Sequence, residues 1–118
     1  MARFLDTNVL LRSFTNDDPV KAQAALALLQ RVERGEERVI VSPIVVFEVV
    51  FTLGRGYKMP KEDIRRRLWR ILSLRDVHLA DKALFKNALD QFVEKNIAFA
   101  DAYHVVWMQR RGVTEIYS

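Results

Sequence analysis

The sequence predicts an α/β fold, a three-layer α/β/α sandwich around a central, mostly parallel sheet. Short apolar runs that suit buried strands occur near Phe4, Val39 and Val77. The longer segments between them repeat their apolar residues at helical spacing, and two of these segments begin with a helix cap followed by proline. Short strands that alternate with helices form βαβ units, in which right-handed crossovers join parallel strands.

The first strand is predicted at Phe4-Leu5, and it leads directly into Asp6. A short helical turn is expected over residues 9–11. Ligands of open α/β sheets bind in the crevice outside the carboxyl ends of the strands. Asp6 is therefore the first candidate for a functional side chain.

Capping and turn residues indicate where the next helix begins and ends. Asp18 is predicted to cap it, Pro19 to occupy its first position and Gly35 to end it. Alanine, leucine and valine residues recur between these limits at helical spacing. A second strand is predicted to follow over residues 38–41.

The segment over residues 44–53 is predicted to be a helix that Gly54 ends. Its β-branched and aromatic residues favour a strand by propensity alone. Ser42 and Pro43 repeat the cap-plus-proline signal, however, and proline is disfavoured inside a buried strand. Glu48 is the single charged residue of this segment. Taken alone, it is better explained as an exposed or paired acid than as a functional one.

The second half of the chain continues the alternation of helices and strands. Its apolar residues keep the helical period in three segments, and short β-branched runs separate them. The predicted elements are a helix from Pro60, a strand over 77–79, a helix from its cap Asp81 to about Asn96, a helix over 99–111 that Gly112 stops, and a fourth strand over 113–117.

Composition narrows the class of protein. The chain has 118 residues, of which 50% are hydrophobic, so one domain with a core that buries roughly two-thirds of the unfolded surface is expected. There is no cysteine, which excludes disulfides and leaves carboxylates as the main metal ligands. The net charge of +4 permits a polyanionic partner without requiring one. A cytoplasmic protein without membrane contact is the default expectation, because no apolar run reaches about 18 residues.

Asp101 is predicted to lie in the first turn of the last helix, where the helix dipole favours an ionised carboxylate. Its neighbours Ala100 and Ala102 are small and leave room for a ligand. Acids are common in first turns for the same dipole reason, so Asp101 alone is weak evidence of a site.

Together, Asp6, Glu48 and Asp101 make a stronger argument, since the predicted fold allows all three to meet at one edge of the sheet. Converging carboxylates repel one another unless a cation or a shared proton intervenes. Oxygen ligands of this kind suit Mg²⁺ or Mn²⁺. One or two such ions can activate a water and stabilise the leaving oxygen of a phosphodiester. The residues alone therefore suggest a metal-dependent hydrolase of phosphate esters.

Three stretches of the sequence can be compared with known families: Phe4-Leu5-Asp6-Thr7-Asn8, the valine-rich segment from Ser42 to Glu48, and Phe99-Ala100-Asp101-Ala102. Together they resemble the PIN-domain family, and within it the VapC-type toxin ribonucleases of type II toxin–antitoxin systems. The resemblance spans nearly the whole chain. It implies a single PIN-like domain over residues 1–118 and an endoribonuclease that cleaves single-stranded or structured RNA with Mg²⁺ or Mn²⁺. It also implies a homodimer and a cognate antitoxin that occludes the site.

The same resemblance assigns roles to particular residues. Asp6, Glu48 and Asp101 take the positions of the family's metal-binding catalytic acids, and Thr7 and Asn8 the positions of supporting residues that hold a carboxylate or a water. Family members usually carry a fourth acid just past the last predicted strand, where this sequence reaches Ser118. Either the sequence is a truncated form that also lacks the last edge strand, or three acids suffice.

An arginine-rich helix face offers a second candidate site. Arg65, Arg66 and Arg70 share it with Arg67. These side chains could follow an RNA backbone or meet an acidic antitoxin segment, but a solvated helix face is the first expectation.

Two other functions remain open from the sequence. One is a non-catalytic PIN-like module that binds RNA or protein through a degenerate or truncated site. The other is a receiver-like signalling domain, which needs a phosphoacceptor aspartate at the end of a central strand. The first strand carries the best strand-end acid here, and this argues against the receiver.

Overall fold

Six helices and three short strands make up the structure, a computed structural model that describes all residues, Met1–Ser118. In chain order they are β1 (Arg3–Phe4), α1 (Thr7–Phe14), α2 (Pro19–Glu33), β2 (Val39–Ile40), α3 (Pro43–Arg55), α4 (Lys61–Leu72), β3 (Val77–His78), α5 (Lys82–Glu94) and α6 (Phe99–Arg110). The chain divides into two compact units, Met1–Ala80 and Asp81–Ser118. None of the helices is long and apolar enough to cross a membrane.

A parallel sheet in the order β1-β2-β3 lies in the first unit. In this register Phe4 faces Ile40, which in turn faces His78. The ladder extends past the strands, because the Leu5 N–H donates to the carbonyl of Ile40 at 2.8 Å. The prediction of an α/β fold with a parallel sheet is confirmed.

Side chains from the strands and the helices together form the core of the first unit. Residues on alternate strand positions, such as Val39 and Val77, are buried, while their neighbours Ile40 and His78 are exposed. Helix α1 packs against α2 and α3, and α3 packs against α4. The fully buried side chains of these helices include Leu10, Val32, Val46, Leu53, Ile64, Leu68 and Leu72.

Caps form where the sequence predicts them. The carboxylate of Asp18 accepts the N–H of Lys21 at 3.1 Å, and the Ser42 hydroxyl accepts the N–H of Val45 at 3.4 Å. Each cap precedes a proline at the start of its helix, which is the arrangement that the fixed φ of proline favours. Gly35, with φ +80°, ends α2 as predicted.

The predicted end of the third helix is wrong by two residues. Helix α3 continues through Gly54 to Arg55, because one glycine costs a helix only about 1 kcal/mol. The glycine that the turn requires is Gly56, where a Cβ atom would lie 2.8 Å from the carbonyl oxygen of Thr52. That carbonyl accepts the Gly56 N–H at 2.8 Å.

In the second unit, helices α5 and α6 pack against each other. The Phe85 and Tyr103 rings lie 5.5 Å apart, and the Phe92 and Phe99 rings meet edge to face at 5.7 Å. The Asp81 carboxylate caps α5 by accepting the N–H of Leu84 at 3.3 Å, as the sequence predicts.

The fourth predicted strand, over 113–117, is not formed. Gly112 adopts φ +65° at the end of α6, and the Val113 N–H donates to the carbonyl of Met108 at 2.9 Å. The first amide of the segment is therefore used to close the helix. The residues that follow have strand propensity but form no strand, because propensity alone does not form a sheet.

Candidate acidic site

Asp6 lies directly after β1 and caps α1. Its backbone is extended, and its Oδ1 accepts the N–H of Thr7 at 2.8 Å. The chain turns from strand to helix at this residue, so its carboxylate is held at the carboxyl end of the sheet. The side chain is exposed, as a residue that binds a ligand must be.

Thr7 links Asp6 to the next predicted acid. This residue is 9% exposed, and its hydroxyl donates to Glu48 Oε1 at 3.0 Å. Glu48 lies in the middle of α3 on its exposed side, between the buried residues Val46 and Val49. The backbone of Thr7 thus holds one carboxylate and its side chain holds another.

Both carboxylates keep an oxygen for a ligand. Asp6 Oδ1 and Glu48 Oε1 are occupied by Thr7, while no hydrogen bond or ion pair engages the second oxygen of either group. Exposed carboxylate oxygens are the donor type that Mg²⁺ and Mn²⁺ prefer, so the donor set of this unit fits the predicted ion. The structure contains no group of three or more His, Cys, Asp or Glu side chains spaced to hold a metal.

Asp101 belongs to the second unit. It lies in the first turn of α6, on an exposed position between Ala100 and the buried Ala102. The N-cap residue Ala98 has a methyl side chain, which cannot accept a hydrogen bond from the first amides of the helix. Asp101 is the acidic residue of that first turn, where the helix dipole favours a negative charge. Its convergence with the acids of the first unit stays a prediction.

Asn8, predicted as a supporting residue, is exposed in the first turn of α1 and lines a cavity with Arg12 and Tyr57. No pattern in the sequence predicts a role for Arg12 or Tyr57. The only sequence signal for this face is the spacing of Asn8 and Arg12, which are four residues apart and therefore lie on one side of a helix. No local pattern connects Tyr57 to that face.

The arginine-rich face lies on α4, but its residues differ in their contacts. Arg65 forms an ion pair with Glu62 at 2.6 Å, and Arg66 forms one with Asp63 at 3.1 Å. Arg67 and Arg70 are exposed and have no ion pair. All four were predicted as a group, whereas the structure leaves only two of them with unpaired charge.

The chain is similar to known proteins along nearly its whole length. The model of the PIN domain family matches residues 3–118. A protein of Aquifex aeolicus (strain VF5), named VapC ribonuclease, is 26% identical over 116 residues, which cover 98% of this chain and 85% of the relative.

Proposed function

The chain belongs to the PIN domain family, and from that premise we propose that it is a metal-dependent endoribonuclease, the toxin of a toxin–antitoxin pair. One observation carries the proposal: Thr7 holds the carboxylates of Asp6 and Glu48 at the carboxyl end of the sheet. Each carboxylate has an oxygen left for a cation. The relative named VapC ribonuclease supports RNA as the substrate.

In the proposed site, Asp6, Glu48 and Asp101 would hold Mg²⁺ or Mn²⁺. When bound, such an ion supplies an activated water and stabilises the charge on the leaving oxygen of a phosphodiester. Thr7 fixes the orientation of two of the three acids. Asn8 is exposed one residue further along α1 and would orient a water or the substrate.

The proposal extends to partners and location. It includes a homodimer, a cognate antitoxin that covers the acidic site, and action in the cytoplasm. The arginines of α4, including Arg65, Arg66 and Arg70, would contact the RNA backbone. The net charge of +4 supports a polyanionic partner.

Cleavage of a mixed panel of RNAs with Mn²⁺ or Mg²⁺ tests the proposed function. The comparison includes the parent chain, Asp6→Asn, a chelator control and Glu33→Gln, in which an exposed acid of α2 is changed by the same chemistry. We expect cleavage by the parent and Glu33→Gln, and its loss with Asp6→Asn or chelator. Equal cleavage by Asp6→Asn would overturn the mechanism. RNA binding without cleavage, insensitive to Asp6→Asn and to chelator, would instead indicate the non-catalytic binding module.

A further inference from the structure

A cavity of about 230 Å³ in the first unit begins at Asn8, two residues after Asp6. Asn8, Arg12 and Thr15 line it from α1 and its C-terminal end. Their spacing of four and three residues puts them on one side of the helix. The cavity therefore lies along the same helix that the proposed catalytic acid Asp6 caps.

Tyr57 lines the cavity from a different part of the chain, the turn after α3. Its hydroxyl donates a hydrogen bond to Asp17 Oδ2, which joins the turn after α3 to the connection between α1 and α2. The same bond raises the pKa of the Tyr57 phenol. The residue is nevertheless 42% exposed. The result is an aromatic ring that is anchored at its hydroxyl and open to a ligand.

Two cations with no ion pair line the same cavity. Arg12 is partly exposed on α1, and Lys21 is exposed on α2. Two acids, Asp17 and Asp18, line the cavity as well, where Asp17 accepts from Tyr57 and Asp18 caps α2. The lining thus contains two basic and two acidic side chains, and neither basic side chain is tied to an acid by an ion pair.

We propose that this cavity holds one nucleotide of single-stranded RNA beside the bond to be cleaved, with the base against the Tyr57 ring and a phosphate at Arg12 and Lys21. The inference rests on the proposed function and names the substrate contact of that same site. Unpaired RNA bases stack on aromatic side chains, and their edges hydrogen-bond to polar groups. Proteins that bind single strands combine such rings with cations that follow the backbone.

Binding measured apart from cleavage tests this inference. The full chain with Asp6→Asn is titrated into a short fluorescein-labelled single-stranded RNA of mixed sequence, and anisotropy reports affinity. Tyr57→Ala is compared with Tyr117→Ala, which removes a tyrosine that is fully exposed. Lys21→Ala is compared with Lys95→Ala, which removes the same charge from an exposed position in the second unit. Circular dichroism checks that each variant is folded.

We expect Tyr57→Ala to weaken RNA binding by about 5- to 150-fold, the range that loss of one base–aromatic stack produces. Lys21→Ala should weaken binding several-fold, Tyr57→Phe should retain most of the affinity, and both controls should bind as the starting protein does. Equal affinity of Tyr57→Ala and Tyr117→Ala would overturn the inference, as would a failure of Asp6→Asn to bind any single-stranded RNA. RNA cleavage by the parent chain, measured separately, decides the proposed function in either case.

Discussion

The Thr7 hydroxyl donates a hydrogen bond to Glu48 Oε1 at 3.0 Å, although the two residues are 41 positions apart in the sequence. Thr7 opens α1 and Glu48 lies within α3, so this bond exists only because the two helices pack together. The buried position of Thr7 makes the hydroxyl a fixed donor rather than a mobile one. The orientation of the Glu48 carboxylate thus depends on the packing of the first unit.

Replacing Thr7 with valine should lower RNA cleavage by about 10- to 100-fold, the usual effect of removing a partner that orients a metal ligand. Valine keeps the shape of the side chain and removes only the donor. Glu48 is exposed and can bond to water instead, so the free energy of unfolding should change by less than about 1.5 kcal/mol. Initial rates at saturating Mn²⁺ and urea unfolding measure the two quantities.

Thr7→Ser is the matched control, because serine keeps the hydroxyl and loses only a methyl group. It should cleave RNA at a rate close to that of the parent. If Thr7→Val were as active as Thr7→Ser, the hydrogen bond to Glu48 would have no part in catalysis.

Asp101 should contribute to the same metal site as Asp6 and Glu48. Mn²⁺ binding measured by calorimetry tests this without any need for cleavage. We expect Asp6→Asn, Glu48→Gln and Asp101→Asn each to weaken binding, and Glu33→Gln to leave it unchanged. If Asp101→Asn bound Mn²⁺ as tightly as the parent while Asp6→Asn did not, the site would consist of first-unit residues alone.

Local signals predicted most of the fold. The caps Asp18, Ser42 and Asp81 each hydrogen-bond to an amide of the first turn, because capping depends on a few consecutive residues. Predictions that depended on distant partners were less successful. The segment 113–117 has strand propensity but forms no strand, because a strand also needs a partner that local propensity does not supply.

The candidate site shows the same contrast between local signals, which the sequence reveals, and contacts between distant residues, which it does not. A carboxylate at the end of the first strand is a local pattern, and it made Asp6 a candidate. Glu48 is a lone charge in an apolar helix, but that signal alone favours an exposed or paired acid, and only its combination with Asp6 and Asp101 made it a candidate. The contact between Tyr57 and Asp17 joins two connections that are 40 residues apart, and neither has a periodic pattern that predicts it.

Leu68→Ala should lower the free energy of unfolding by about 2–5 kcal/mol, since the substitution leaves a cavity in a packed core. Leu68 is fully buried on α4, which packs against the helix that carries Glu48. Leu26→Ala is the control, because Leu26 is 47% exposed and its loss should cost about 0.5 kcal/mol or less. Urea unfolding of both variants measures the difference. Similar values for the two would contradict the placement of Leu68 in the core.

Arg70 should contribute more to RNA binding than Arg66 does. Arg66 is already paired with Asp63 at 3.1 Å, whereas Arg70 has no ion pair. For single strands, each phosphate contact changes the slope of log affinity against log salt by about 0.7. Arg70→Ala should therefore reduce the slope by about that amount, and Arg66→Ala by less. If neither variant changed the slope, the arginine face would be a solvated surface, the first expectation from the sequence.

The phenol of Tyr57 should titrate at higher pH than an ordinary tyrosine. Its hydrogen bond to Asp17 favours the protonated form and raises the pKa of the phenol above 10.0. As pH rises past the unfolded-state value of about 10, the unfolded chain loses this proton first. The folded state then binds more protons than the unfolded state, so the stability from this bond is present below pH 10 and is lost as pH rises through the folded pKa.

Ultraviolet absorbance of tyrosinate measures this titration, and the difference between the parent and Tyr57→Phe assigns it among the three tyrosines. Asp17→Asn should return the pKa of Tyr57 toward its ordinary value, because the variant removes the charged acceptor. Asp63→Asn, an acid of α4 that pairs with Arg66, should leave the titration unchanged. If Asp17→Asn also left it unchanged, the bond between Tyr57 and Asp17 would not persist in solution, and the cavity would lose its anchored ring.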